Sequence, residues 1–118
     1  MKIKTFNDIV QGQLEHCTRL LTGKGHEYAE GAEADEQIDR LAHFKKAAAL
    51  QDETPEQAAF GMLAKHLVSI SDMVSSGEMY SLSQWNEKIT DSINYLLIIR
   101  AIVEENAAVK AKEGVAVA

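Results

Sequence analysis

The only proline of the chain stands in Thr54-Pro55-Glu56-Gln57, and no other stretch constrains the fold as strongly. Thr54 offers a side-chain oxygen to the free N–H groups of a helix start. Pro55, at the first helical position, lacks the N–H that would go unpaired there, and Gln57 can return a hydrogen bond to the cap. A helix begins here. With no second proline, the other apolar periodicities are free to run as long helices, and no segment alternates with the period of two that a strand requires. The expected class is therefore all-α. We expect a four-helix, bundle-like single domain over residues 1–106, oligomeric, with a low-complexity tail at 107–118 that frays.

The remaining helices follow from spacing. Phe6, Ile9, Val10, Leu14, Cys17, Leu20 and Leu21 recur at helical intervals between a Thr5 or Asn7 cap and the stop signals Gly23 and Gly25, which predicts a helix over about 6–22. Residues 23–34, with three glycines and several acids, read as a loop long enough to carry function. A second helix is expected over about 35–50, with a side of small residues apart from Phe44. A third runs from Pro55 to about Ser75 on Ala59, Phe60, Leu63, Leu67, Ile70, Met73 and Val74. After Gly77, either Ser81 or Ser83 caps a fourth and longest helix, from about Leu82 to beyond Glu105, with Gln84 in capping-box register to Ser81.

Composition removes several function classes. The net charge of −6 comes with scattered Lys and Arg, so the clustered basic surface that grips nucleic-acid phosphates is missing and no nucleic-acid partner is expected. Cys17 is the single cysteine, which leaves no internal disulfide and no thiolate metal spacing; its simplest role is a small apolar filler. No apolar run is long enough for a membrane span and the first residues lack a signal-peptide core, so no membrane contact and a cytoplasmic location are expected. Phosphate-cradling loops, nucleophile elbows and His-Glu-x-x-His are also missing from the sequence. Any chemistry falls to carboxylates and a metal.

The fourth helix carries the most informative pattern. Glu87, Asp91, Asn94, Ile98, Ala101 and Ile102 share one arc, so ionisable groups continue the line of an apolar stripe. A buried carboxylate is strongly unfavourable without a cation, a basic side chain or a donor beside it. Glu87 and Asp91 repel each other at i,i+4 unless something positive sits with them. Mg²⁺ suits such a pair, because it takes hard oxygen ligands and commonly uses one or two carboxylates with substrate phosphates and water. The plainer reading leaves Glu87 on the surface and ties Asp91 to Lys65 or Arg40.

On the third helix Lys65, Ser69 and Asp72 form a polar stripe beside the apolar arc, and His66 falls inside that arc. Lys65 could meet phosphate and Asp72 could hold water or metal; alternatively the stripe is a solvated face and His66 a hydrogen-bonded core histidine. In the glycine-rich loop, Glu27, Tyr28 and Glu30 bring two acids and a phenol close together. Asp39 and His43 complete the candidates, and Phe44 is better placed as core than as a stacking ring.

These residues resemble a family. His26-Glu27-Tyr28-Ala29, then Asp39-Arg40-Leu41-Ala42-His43-Phe44, then Lys65-His66 with Asp72, then Asp91-Ser92-Ile93-Asn94-Tyr95-Leu96 resemble small phage and prophage proteins. That group looks like a branch of the all-α nucleoside triphosphate pyrophosphohydrolases, the MazG-like and dimeric dUTPase-like proteins, and of nucleotide-modification-associated domains. The likeness covers roughly residues 24–103. It implies a helical bundle in which Glu27, Glu30, Glu87 and Asp91 hold Mg²⁺ around a nucleotide. In that reading Lys65, His66, Asn94 and Tyr95 contact the ligand, and Asp72 is the candidate carboxylate base for water attack. Here Glu87 and Asp91 are four apart where the family has three, Ala29 replaces the usual glycine, and His43 stands where asparagine is common.

Two functions from different classes follow. One is a Mg²⁺-dependent protein for a nucleotide or other small phosphorylated ligand, extending to hydrolysis between the α and β phosphates. The other is a non-catalytic phage accessory protein that binds a host protein or sequesters a small molecule.

Overall fold

The computed structural model describes residues 1–27 and 38–114, with the side chains of 24–27 outside the description. Among the described residues there are four helices and no strand: α1 (Ile3–Glu27), α2 (Ala42–Leu50), α3 (Pro55–Ser75) and α4 (Leu82–Lys112). The chain is all-α. It divides into two compact units, Met1–Arg40 and Leu41–Ala118.

The first unit is built on α1. Helix continues through Gly23 and Gly25, where the sequence suggested a stop. Each glycine disfavours helix by only about 1 kcal/mol relative to alanine, and neither imposes a turn. The apolar stripe is unevenly covered. Ile3, Phe6, Ile9, Val10 and Leu14 are exposed, whereas Cys17 is buried and accepts a hydrogen bond from Gln13 Nε2 at 3.3 Å. Arg40 closes the unit by donating to the Leu21 carbonyl at 3.2 Å.

In the second unit, α2 starts at Ala42 instead of near residue 35. Asp39 and Arg40 precede it in non-helical backbone, 35–37 lie outside the described residues, and Leu41 at the cap position supplies no side-chain hydrogen bond. The helix ends where Asp52 adopts a φ of 54°. That left-handed residue lets Glu53 N–H reach back to the Ala48 carbonyl at 2.9 Å, the pattern of a Schellman stop with aspartate in the glycine position.

Both long helices begin as their caps require. Thr54 Oγ1 accepts from Gln57 N–H at 3.2 Å while Gln57 Oε1 accepts from Thr54 N–H at 2.8 Å. Ser81 is the α4 cap, with the reciprocal bonds to Gln84 at 3.0 and 3.1 Å. Gly77, at φ 71°, turns the chain between the helices. α3 and α4 then form an antiparallel hairpin. Asn106 donates to Glu56 at 2.7 Å, Ala59 packs with Ile102, and His66 meets Tyr95, so α4 steps back one residue for each step forward on α3. The carboxyl of Glu56 is held below the usual carboxylate range, first by the Thr54 hydroxyl and further by Asn106 and Lys110.

Leu41, Phe44, Ala59 and Ile102 form the core, flanked by Met62, Tyr95, Ile98 and Ile99. Ala48, Ala58 and Ala59 are all buried, and small residues at these points bring the three helices close together. Phe44 is a core residue. Lys45 pairs with Glu105 at 2.7 Å across the α2–α4 contact. Helix persists to Lys112, beyond residue 107 where the tail was expected to fray.

Candidate functional site

The polar groups of interest lie where α3 and α4 face each other away from the α2 end. On α4, Asp91, Asn94 and Tyr95 are three and four residues apart and therefore point to one side. All three are half-buried, and Asp91 and Tyr95 both meet His66 of α3. His66 Nδ1 stands 3.8 Å from Asp91 Oδ2, an ionic contact when the imidazole is protonated but too long for a hydrogen bond. Its ring packs against Tyr95, with centroids 5.4 Å apart and planes tilted by 31°.

Two atoms in this cluster are buried without any hydrogen-bond partner: His66 Nδ1 and Asn94 Oδ1. Buried polar atoms are nearly always satisfied, and one left bare costs about 1–3 kcal/mol. With the imidazole proton on Nε2, His66 Nδ1 is a lone-pair donor, as are Asn94 Oδ1 and the Asp91 carboxylate. A nitrogen and two kinds of oxygen thus offer electron pairs in the same seam, a set that suits a cation or the N–H groups of a ligand. Burial raises the Tyr95 phenol above its usual range and the Asp91 charge raises it further, so the ring enters the seam as a neutral phenol with its donor intact.

The other candidates are placed differently. Lys65, one residue from His66 and so turned about 100° around α3, is exposed, and Asp72 is exposed further along the same helix. Glu87 is exposed one turn before Asp91, and Ala101 is exposed as well, so the stripe read along α4 is buried at Ile102, half-buried at Asp91, Asn94 and Ile98, and open at its other positions. The neighbour of Asp91 is His66. Glu27 ends α1 with its side chain outside the description, and Glu30 lies outside the described residues. His43 is exposed and sets its ring edge-on to Phe44 at 5.9 Å.

Among the described residues, no group of three His, Cys, Asp or Glu side chains is placed to hold a metal ion. Asp91 and Glu87 stand one turn apart on α4, and Mg²⁺ commonly takes one or two carboxylates when phosphate oxygens and water supply its remaining ligands. Among the described residues a cage made of protein ligands alone is therefore not formed. Thr90, buried beside Asp91, was not singled out by sequence, because a threonine inside a helix gives no signal of its own. A shallow depression on α1, lined by Gln11, Leu14, Glu15, Thr18 and Arg19, contains none of the candidate residues. Among the described residues no helix is long and apolar enough to cross a membrane.

What fold and seam define together is an all-α protein with an unsatisfied polar cluster between two antiparallel helices. Comparison with protein-family models, with curated proteins and with solved structures finds no match.

Proposed function

We propose that this chain binds a nucleotide or a comparable small phosphorylated ligand, together with Mg²⁺, at the α3–α4 seam. The observation that carries the reading is the pair of buried, unpartnered atoms, His66 Nδ1 and Asn94 Oδ1, beside the Asp91 carboxylate. In this reading Asn94 accepts from an amino group of the ligand, and the rings of Tyr95 and His66 form a stacking surface for a base. Asp91 and Glu87 face the cation, and Lys65 at the exposed edge meets phosphate charge. The hydrolytic extension comes from the family resemblance, and Asp72 is the carboxylate we assign to activate water in it.

Isothermal titration with nucleoside triphosphates, with and without Mg²⁺, tests the reading. Saturable binding that weakens on removal of Mg²⁺ and is lost in Asp91→Ala is the expected result. Heat indifferent to nucleotide and metal contradicts it. Analysis of the titrated mixture for a nucleoside monophosphate and pyrophosphate decides the hydrolytic extension separately. A second reading, a non-catalytic accessory protein that docks on a host protein, is favoured by the exposed Ile3, Phe6, Ile9, Val10 and Leu14 of α1, and it predicts that indifference.

A further inference from the structure

His66 and Asp91 face each other across the α3–α4 seam without a hydrogen bond between them. Nδ1 and Oδ2 are 3.8 Å apart, about 1 Å beyond a charge-assisted hydrogen bond. His66 Nδ1 is buried and has no partner, and neither has Asn94 Oδ1, three residues beyond Asp91 on the same side of α4. Among the described residues no lysine or arginine pairs with Asp91. Three electron-pair donors and one unanswered negative charge therefore lie together in the seam.

The donor types select the ion that suits them. Mg²⁺ keeps oxygen ligands and gives up its waters reluctantly, whereas an imidazole nitrogen suits the later first-row divalent ions, of which zinc is the representative. Zinc takes imidazole nitrogen and carboxylate oxygen at about 2.0–2.2 Å, which sets two ligands of a tetrahedral ion about 3.4 Å apart. The 3.8 Å gap is within a few tenths of an ångström of that span, a difference that a small rotation of the Asp91 carboxylate removes. Tyr95, packed on the His66 ring at 5.4 Å, holds the imidazole in place. The His66 side chain is 20% exposed and that of Asp91 36%, so the nitrogen is shielded while the carboxylate keeps a way in from solvent.

We propose that His66 Nδ1, Asp91 Oδ2 and Asn94 Oδ1 form an open site for a zinc-like divalent ion, with water in the fourth position. His66 and Asp91 alone are two ionisable ligands, and the amide oxygen of Asn94 is the third. The proposal goes beyond the nucleotide reading: it shares Asp91 with it and needs neither nucleotide nor Glu87. Bound there, the ion ties α3 to α4 and stabilises the folded chain that holds it.

Zn²⁺ titrated into the nucleotide-free chain, in excess Mg²⁺, tests the proposal, with binding followed by calorimetry and the place of the ion by the histidine ¹⁵N signals. The wild type is expected to bind one Zn²⁺ that Mg²⁺ does not displace, and the Nδ1 signal of His66 is expected to move. His66→Phe, which keeps a ring against Tyr95, and Asp91→Asn are each expected to weaken this binding by about a hundredfold or more, beyond the roughly 10–100-fold carried by groups that only support a ligand. Helical circular dichroism is retained in both, and His16→Gln on the exposed side of α1 binds as wild type does. Should a variant not fold, the ¹⁵N signals of the wild type decide alone. Zinc binding no tighter than that of folded His66→Phe overturns the proposal, as does zinc that leaves His66 Nδ1 unmoved. Zinc on His66 in a chain indifferent to nucleotide supports this site and contradicts the nucleotide reading; nucleotide binding with no zinc on His66 does the reverse.

Discussion

Phe44→Ala is expected to lower the stability of the second unit by about 3–5 kcal/mol, the range for removing a buried aromatic side chain. Phe44 joins α2 to both long helices through Leu41, Ala59 and Ile102. The Lys45–Glu105 pair at 2.7 Å is part-exposed on both sides and contributes at most about 1 kcal/mol in water. A small domain has only about 5–15 kcal/mol in all, so a large share of the margin disappears with this ring. Urea unfolding followed by circular dichroism reads the change. A loss below about 1 kcal/mol would mean that α2 is not anchored by its phenylalanine.

The second large effect has the opposite sign for stability. Asn94→Leu replaces a buried, unpartnered amide oxygen with an apolar side chain of similar size, and is expected to stabilise the fold by about 1–2 kcal/mol while reducing nucleotide affinity by about tenfold or more. A polar atom left bare in a helix seam opposes folding, and the proposed binding role is what would retain it. Thermal unfolding and titration of the same variant read the two halves of the prediction. A variant that is less stable and binds as wild type does would assign Asn94 to structure.

Local chemistry was legible in the sequence and tertiary register was not. The Thr54 and Ser81 capping boxes form because cap and responder are three residues apart and need nothing else. Helix lengths were less legible. Gly23 and Gly25 weaken helix without forbidding it, and the start of α2 shifts to Ala42 because it is set by the packing of Leu41 and Phe44. For the site, His66 could be singled out on α3, and Asp91, Asn94 and Tyr95 on α4, from their positions along each helix. That they meet depends on the register of the hairpin, which neither helix encodes alone. Register also explains Glu87. It stands opposite the last turn of α3, where little remains to cover it, whereas Asp91 is still faced by His66. Phe60, Leu67 and Val74 belong to the apolar arc read for the third helix yet are exposed, because a broad arc on one helix does not say which part of it is left bare.

Nuclear magnetic resonance observes the atoms of the unsatisfied seam directly and reads whether they receive a ligand. In uniformly ¹⁵N-labelled protein the side-chain amide of Asn94 and the imidazole nitrogens of His66, assigned through Asn94→Leu and His66→Gln, are followed as Mg²⁺-nucleotide is added. Both sets of signals are predicted to move together and saturate at one stoichiometry, with the exposed His16 unmoved as reference. Signals from Asn94 and His66 that stay fixed at saturating nucleotide would contradict the account.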